Sequence, residues 1–265
     1  MASSRRFQIS GVIHLPPLPG APTAERSFQS VIDHALRDAE ALVLGGIQSA
    51  VIENFGDSPF RANRVRPHVP AMMAVLGSQI RERFGDQLSL GINVLRNDGL
   101  AAMGVAVATG ASFVRINVFT GSAWTDQGLI QGEADQITRY RKALCLADSQ
   151  PSIMADIAVK HAVPAGVTCL ETMAEEAISR GGADGLIVTG VGTGKTASLD
   201  EVARVKEKAS QKPVWVGSGA TPDTVAAIAN VADGVIVGTF LHQAGNISAP
   251  IEKDRVQSFL DAARS

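Results

Sequence analysis

Eight times along the chain, a short β-branched and apolar run is followed by a polar or glycine-rich loop and then a helical pattern. This recurrence limits the fold more than any other feature. The runs are QISGVIHL (8–15), IQSAVIEN (47–54), LSLGINVL (88–95), SFVRINVF (112–119), SIMADIAV (152–159), DGLIVTG (184–190), PVWVGSG (213–219) and DGVIVGT (233–239). They are apolar nearly throughout rather than in alternation, as strands covered by helices on both faces require. Helices are expected near 27–44, 68–83, 98–109, 133–147, 171–181, 198–210, 222–230 and 253–264. The segments GGADGLIVTG and NVADGVIVGT repeat one unit of helix end, turn and strand. Eight such βα units in about 250 residues is the arithmetic of a TIM barrel. No linker divides the chain, so residues 1–265 are expected to form one α/β domain, a (β/α)8 barrel. A doubly wound open sheet is the competing arrangement.

Composition narrows the class of function. A formal net charge of −2 argues against a dedicated nucleic-acid binder. The two cysteines, Cys145 and Cys169, are too few for a disulfide framework and too far apart for C-x-x-C chemistry, which points to a reducing, cytoplasmic setting. The opening MASSRRFQISGVIHLPPLPG has arginines but no apolar core of signal-peptide length. The longest uncharged run, Gly99 to Val114, is shorter than the roughly 20 residues of a spanning helix.

Barrel enzymes carry their sites at the carboxyl ends of the strands. Those ends here are His14, Glu53, Asn93, Arg115 with Asn117, Asp156, Thr189, Ser218 and the pair Gly238–Thr239. VGSGAT closes the seventh run and VGTF the eighth, where glycine lets backbone N–H groups approach an anion and a helix start adds free donors. Gly217, Ser218, Gly219, Gly238 and Thr239 are therefore candidate phosphate ligands, unless the glycines serve only tight turns. Asp156 and Glu53, with His14, are candidates for proton transfer on a sugar, or the two carboxylates for holding a divalent cation. The competing reading is structural: Asp156 or Glu53 paired with Arg115, and His14 as a core histidine. Asn93, Arg115 and Asn117 suit recognition of hydroxyls and carboxylates, and Thr189 belongs to the same rim. Asn97 or Asp98 is expected to cap the next helix. Lys160 is conceivable as a Schiff-base lysine but lies past its strand end. No H-x-H or HExxH spacing marks a zinc site.

The stretch VTGVGTGKTASLD (188–200) imitates a nucleotide P-loop but fails its spacing. Counting back from Gly194, Lys195 and Thr196, the first glycine belongs at 189, which is Thr189. As the loop after the sixth strand, it would instead bring Lys195 beside the phosphate site as a point charge, or leave it solvated. Two connections exceed ordinary length, ENFGDSPFRANRVRPHVP after the second strand and FTGSAWTDQGLIQGE after the fourth, and are expected as lids or contact surfaces. Arg61, Arg64 and Arg66 in the first would clamp an anion, pair across a subunit interface or remain solvated.

Taken in order, GVIHLPPLPGAP, IENFGDSPF, GINVLRNDG, FVRINVFTG, TDQGLIQGEA, DIAVKHA, VGSGAT and ADGVIVGT resemble the BtpA/SgcQ family from about residue 9 to 260. The resemblance implies a TIM barrel. It also implies a sixth loop of the form T-G-x-x-T-G, matched by Thr189, Gly190, Thr193 and Gly194. The family takes its name from a thylakoid-associated factor for photosystem I biogenesis; some relatives carry labels as nucleosidases or phosphoribosylanthranilate-isomerase-like proteins. Two functions are therefore expected. One is an enzyme on a small phosphorylated sugar or nucleoside-type metabolite, acting as isomerase, lyase or nucleosidase-like hydrolase. The other is a non-catalytic assembly factor docking peripherally on a membrane, a thylakoid in a photosynthetic organism, or on a protein complex. No motif demands a cofactor, and a homo-oligomer is compatible with either.

Overall fold

The computed structural model describes residues 7–144, 150–157, 162–166, 169–190 and 197–264. Strand β1 (Gln8–His14) leads through Leu15–Pro17 to helix α1 (Phe28–Gly45). Ser27 caps α1 by accepting from the Ser30 N–H at 3.3 Å, and Gly46 stops it in the left-handed region at φ 99°. Buried Val31, Ile32, Ala35, Ala39 and Leu42 form its inner stripe at helical spacing. The same grammar then repeats through β2 (Ser49–Glu53), α2 (His68–Phe84), β3 (Ser89–Asn93), α3 (Gly99–Thr109) and β4 (Phe113–Ile116). Asp98 is the residue that caps α3, accepting from the Ala101 N–H at 3.0 Å.

The connection after β4 departs from expectation. It is a hairpin, β5 (Ser122–Thr125) and β6 (Gly128–Gln131), preceding α4 (Ala134–Leu144). After β7 (Ser152–Ile157), a short β8 (Ala162–Pro164) pairs antiparallel with β5, making a three-stranded sheet outside the barrel. Its inner face buries Ala123 and Ile130 on Val118, which gives the segment a small core of its own. The next helix is also broken: α5 (Leu170–Glu175) continues as a π-helical turn over Glu176–Arg180. Then follow β9 (Gly185–Val188), α6 (Leu199–Lys208), β10 (Val214–Val216), α7 (Pro222–Ala229), β11 (Gly234–Val237) and α8 (Lys253–Arg264).

Eight parallel strands close in the order β1-β2-β3-β4-β7-β9-β10-β11, with β11 returning to β1. The open sheet is thereby excluded. Two cores result. The larger lies between strands and helices, where Leu42, Met73, Leu76, Ile80 and Phe259 are fully buried. The smaller fills the barrel itself with Val12, Val51, Phe113, Met154, Ile187, Trp215 and Ile236. Phe113 and Trp215 meet edge to face at 5.6 Å, an arrangement aromatic pairs favour. Gly91 makes room for the Phe113 ring, since a Cβ there would sit 2.2 Å from Phe113 Cζ.

Candidate functional site

Side chains two apart on a strand share a face. Each barrel-filling residue therefore dictates what stands above it: Val12 carries His14, Val51 Glu53, Phe113 Arg115, Met154 Asp156, Ile187 Thr189, Trp215 Gly217 and Ile236 Gly238. A large apolar plug supports a polar or open rim. In β1, β2 and β3 the register places His14, Glu53 and Asn93 side by side.

Along β2 to β7 the rim is a network of side chains. Asn93 Nδ2 donates to Glu53 Oε2 at 2.6 Å. Arg115 grips Asp156 with two groups, Nε to Oδ2 and Nη2 to Oδ1, both at 3.1 Å. Asn117 Nδ2 donates to the same Asp156 Oδ2 at 2.6 Å. Burial opposes the charge of Arg115, but Asp156 and then Glu53 outweigh it, and the guanidinium pKa is raised. Asp156 thus spends its lone pairs on Arg115 and Asn117, and the positive charge between the carboxylates is the guanidinium's own. A divalent cation at Glu53 and Asp156 would have to displace it, and among the described residues no three His, Cys, Asp or Glu groups gather as a metal set.

His14 is oriented from behind. Its Nδ1 lies 3.1 Å from Nε2 of fully buried His242, whose Nδ1 lies 2.7 Å from the Ala249 carbonyl oxygen. A carbonyl only accepts, so His242 donates from Nδ1 and its Nε2 accepts when neutral. Burial lowers the His242 pKa, with His34 adding to the effect and the Ala249 bond and Asp38 opposing it, and so favours that neutral state. His14 then carries a proton on Nδ1, and in its neutral form Nε2 is the acceptor nitrogen. Phe55 and the His14 ring pack in a T-shape, with ring centres 5.1 Å apart.

After β10 and β11 the rim is backbone. Gly219 has φ 74°, a conformation that glycine adopts without strain, and the chain then turns through Thr221 into α7. Thr224 Oγ1 accepts from the Thr221 N–H at 3.0 Å, and Pro222 opens the helix where no N–H is needed. Ser218 Oγ accepts from the Gly190 N–H at 3.2 Å and ties the sixth loop to the seventh. Gly238 lies against His14, with a would-be Cβ only 2.7 Å from the imidazole Cε1, and a short 3-10 turn starts at Thr239.

The two kinds of rim enclose a cavity of about 280 Å³. Of the residues singled out from sequence, His14, Glu53, Arg115, Gly217, Ser218, Gly219, Gly238 and Thr239 line it. Behind them Asn93 holds Glu53, Asp156 holds Arg115 and Asn117 holds Asp156, and buried Thr189 packs beside Gly217. Lys195, with Thr193 and Gly194, lies outside the described residues, as do Lys160 and Cys145. Arg64 turns inward, to Glu133 at 2.7 and 2.9 Å and to Asp98 at 3.3 Å.

Two residues of the site escaped the sequence reading. Arg255, in the first turn of α8, lines the cavity while its Nε donates to Phe240 O at 2.6 Å and its guanidinium rests 4.4 Å from the Phe240 ring centre. The signal available was a cation at the start of the helix after the last strand, a position that faces the rim in any such barrel. His242 gave only a lone histidine beyond the eighth strand.

The BtpA family profile matches residues 6–265. The photosystem I biogenesis protein BtpA of Synechocystis is 40% identical over 96% of this chain and 87% of its own. Among solved structures, orotidine 5'-phosphate decarboxylase from Pyrococcus horikoshii superposes with TM-score 0.60 at 14% identity, covering 97% of this chain and 100% of that one. N-(5'-phosphoribosyl)anthranilate isomerase from Pyrococcus furiosus gives 0.59 at 13%, covering 98% and 99%. At such identities these two establish the barrel fold alone. No helix among the described residues is long and apolar enough to cross a membrane.

Proposed function

The chain belongs to the BtpA family, and on that premise we propose that it is an enzyme acting on a small phosphorylated sugar or nucleoside-type metabolite. The reaction is an isomerisation, a lysis or a nucleosidase-like hydrolysis. Ser218, Gly219, Gly238 and Thr239 hold the phosphate through backbone N–H groups and the Ser218 hydroxyl, with Arg255 adding charge; Gly217, whose own N–H donates to Val188 O at 2.8 Å, contributes space rather than a donor. Glu53, with one oxygen held by Asn93, transfers a proton at the sugar, and His14 Nε2 serves as its partner. Asp156 holds Arg115 rigid, so that the guanidinium meets negative charge developing on the substrate. Asn93 and Asn117 support substrate binding from behind, through Glu53 and Asp156, and Thr189 does so beside Gly217.

The observation that carries this reading is the meeting of a glycine-rich rim with a carboxylate and an oriented histidine in one cavity. The phosphorylated substrates named in the two similar structures support the substrate class. The test is a thermal-shift screen of phosphorylated sugars. Stabilisation by at least one of them is expected, and it should disappear in Ser218→Asp, whose carboxylate repels a bound phosphate. A screen with no stabilising phosphate ester counts against the enzyme.

A second reading has its own observation. On the outer face of the small sheet, Trp124, Leu129 and Val163 are exposed and cross-strand neighbours, an apolar patch of the kind that meets partners. With the name of the Synechocystis relative, this supports a peripheral assembly factor, or a homo-oligomer through the same face. A cytoplasmic protein recruited to a membrane would lose vesicle co-sedimentation in a Trp124→Ser, Val163→Ser variant; unchanged recruitment counts against that face.

A further inference from the structure

Beyond His14 lies a second cavity, of about 410 Å³. Leu15, Pro16, Pro17, Phe55 and Ile247 give it apolar walls, while Thr23, Arg26, His34, Ser58 and Ser248 are its polar lining residues. Most of the wall comes from Leu15–Pro17 and from Phe55, Gly56 and Ser58, none of which lines the first cavity. They are fixed in place by the backbone: Gly56 N donates to Leu15 O at 3.0 Å, and Leu18 N donates to Asp57 Oδ1 at 2.8 Å. Gly56 lies flat on the two prolines, where a Cβ would come within 2.3 Å of Pro17 N. Prolines have no freedom in φ to lose, so this surface is shaped before anything binds.

The two cavities share a wall. The His14 ring lines both, and the segment 245–248 gives Gly245 to the first and Ile247 with Ser248 to the second. The first, at about 280 Å³, falls just below the roughly 300–1,000 Å³ of pockets that enclose a whole metabolite. Joined across His14, the two fall within that range. Apolar walls with an aromatic edge suit the faces of a flat ring, and the hydroxyls and guanidinium suit its polar edge.

We infer that the second cavity is the subsite for a planar aromatic or heteroaromatic group carried by the same phosphorylated sugar, with His14 at the junction of ring and sugar. This rests on the phosphate reading of the first cavity. It narrows the substrate class from any small sugar phosphate to one bearing a ring.

Isothermal titration of the full chain with inorganic phosphate, ribose 5-phosphate, adenosine 5'-monophosphate and uridine 5'-monophosphate separates the two claims. One of the two nucleoside monophosphates should bind at least about tenfold more tightly than ribose 5-phosphate. Ser248→Trp, which fills the second cavity, should remove that gain and leave ribose 5-phosphate affinity unchanged. Phe55→Ala should also remove it, and serves if the tryptophan variant fails to fold. A ring gain that is absent in the wild type, or that survives in either folded variant, overturns the subsite while leaving the phosphate site standing. Absence of binding by both phosphate and ribose 5-phosphate overturns both.

Discussion

The two halves of the barrel rim are made of different material. From β2 to β7 the rim is side chains that hold one another: Asn93 on Glu53, Arg115 and Asn117 on Asp156. After β10 and β11 it is backbone, opened by Gly217, Gly219 and Gly238. His14 stands on the seam, braced by His242 and touching Gly238. The difference teaches a division of labour. Buried charges are tolerated in a barrel mouth when fully paired, which fixes their geometry for reacting atoms. Backbone donors cannot titrate or rotate away, which suits an anchor whose charge never changes.

The largest effect should come from breaking the side-chain half. Asp156→Ala leaves the buried Arg115 guanidinium without its carboxylate, a loss expected to cost about 3–5 kcal/mol in urea denaturation. A cost below 1 kcal/mol, a surface-pair value, would mean that the pair is not the keystone of this half. On the backbone half, Gly238→Ala drives a methyl group into His14. Overpacking of this kind costs about 1–3 kcal/mol, and here it should also weaken ribose 5-phosphate binding in calorimetry. Stability lost with binding intact would separate His14 from the anion cradle.

The seam should show itself in pH. Because burial lowers the His242 pKa in the folded protein, the unfolded chain takes up its proton first as pH falls. Stability from this group is therefore full above the ordinary histidine value of about 6.5 and declines below it, toward the lowered folded value. Melting temperatures of the wild type should drop between pH 7.5 and 5.5, and His242→Gln should flatten that drop. An identical slope in the variant would place the acid sensitivity elsewhere. The smallest effect belongs outside both halves: Arg64→Ala removes a partly exposed tie to Glu133 and Asp98, expected at roughly 0.2–1 kcal/mol with phosphate binding untouched.

Much of the barrel was legible because a buried strand records its position twice, in its continuous apolar run and in the polar residue that ends it. His14, Glu53 and Asp156 could be placed on one rim for that reason, before any pairing was known. The pairing itself was not legible. Whether Asp156 meets Arg115 or a substrate depends on strand shear, which no single segment encodes. The hairpin Ser122–Gln131 does not show in the sequence, because its turn, Asp126–Gln127, lacks the Asn-Gly or Asp-Gly signature and its third strand comes some thirty residues later. Nothing local marks His242, and the one mark of Arg255, a cation opening the last helix, gains its meaning only when closure of the ring brings that helix and the eighth loop over the first strand.

The most direct test of the account is the position of a bound phosphate in a crystal of the protein soaked with ribose 5-phosphate. Its oxygens should lie within about 3.2 Å of the Gly219 and Thr239 backbone nitrogens, with the sugar directed toward Glu53 and His14. An ordered phosphate anywhere else on the molecule, or a sugar pointing away from those two side chains, would contradict it.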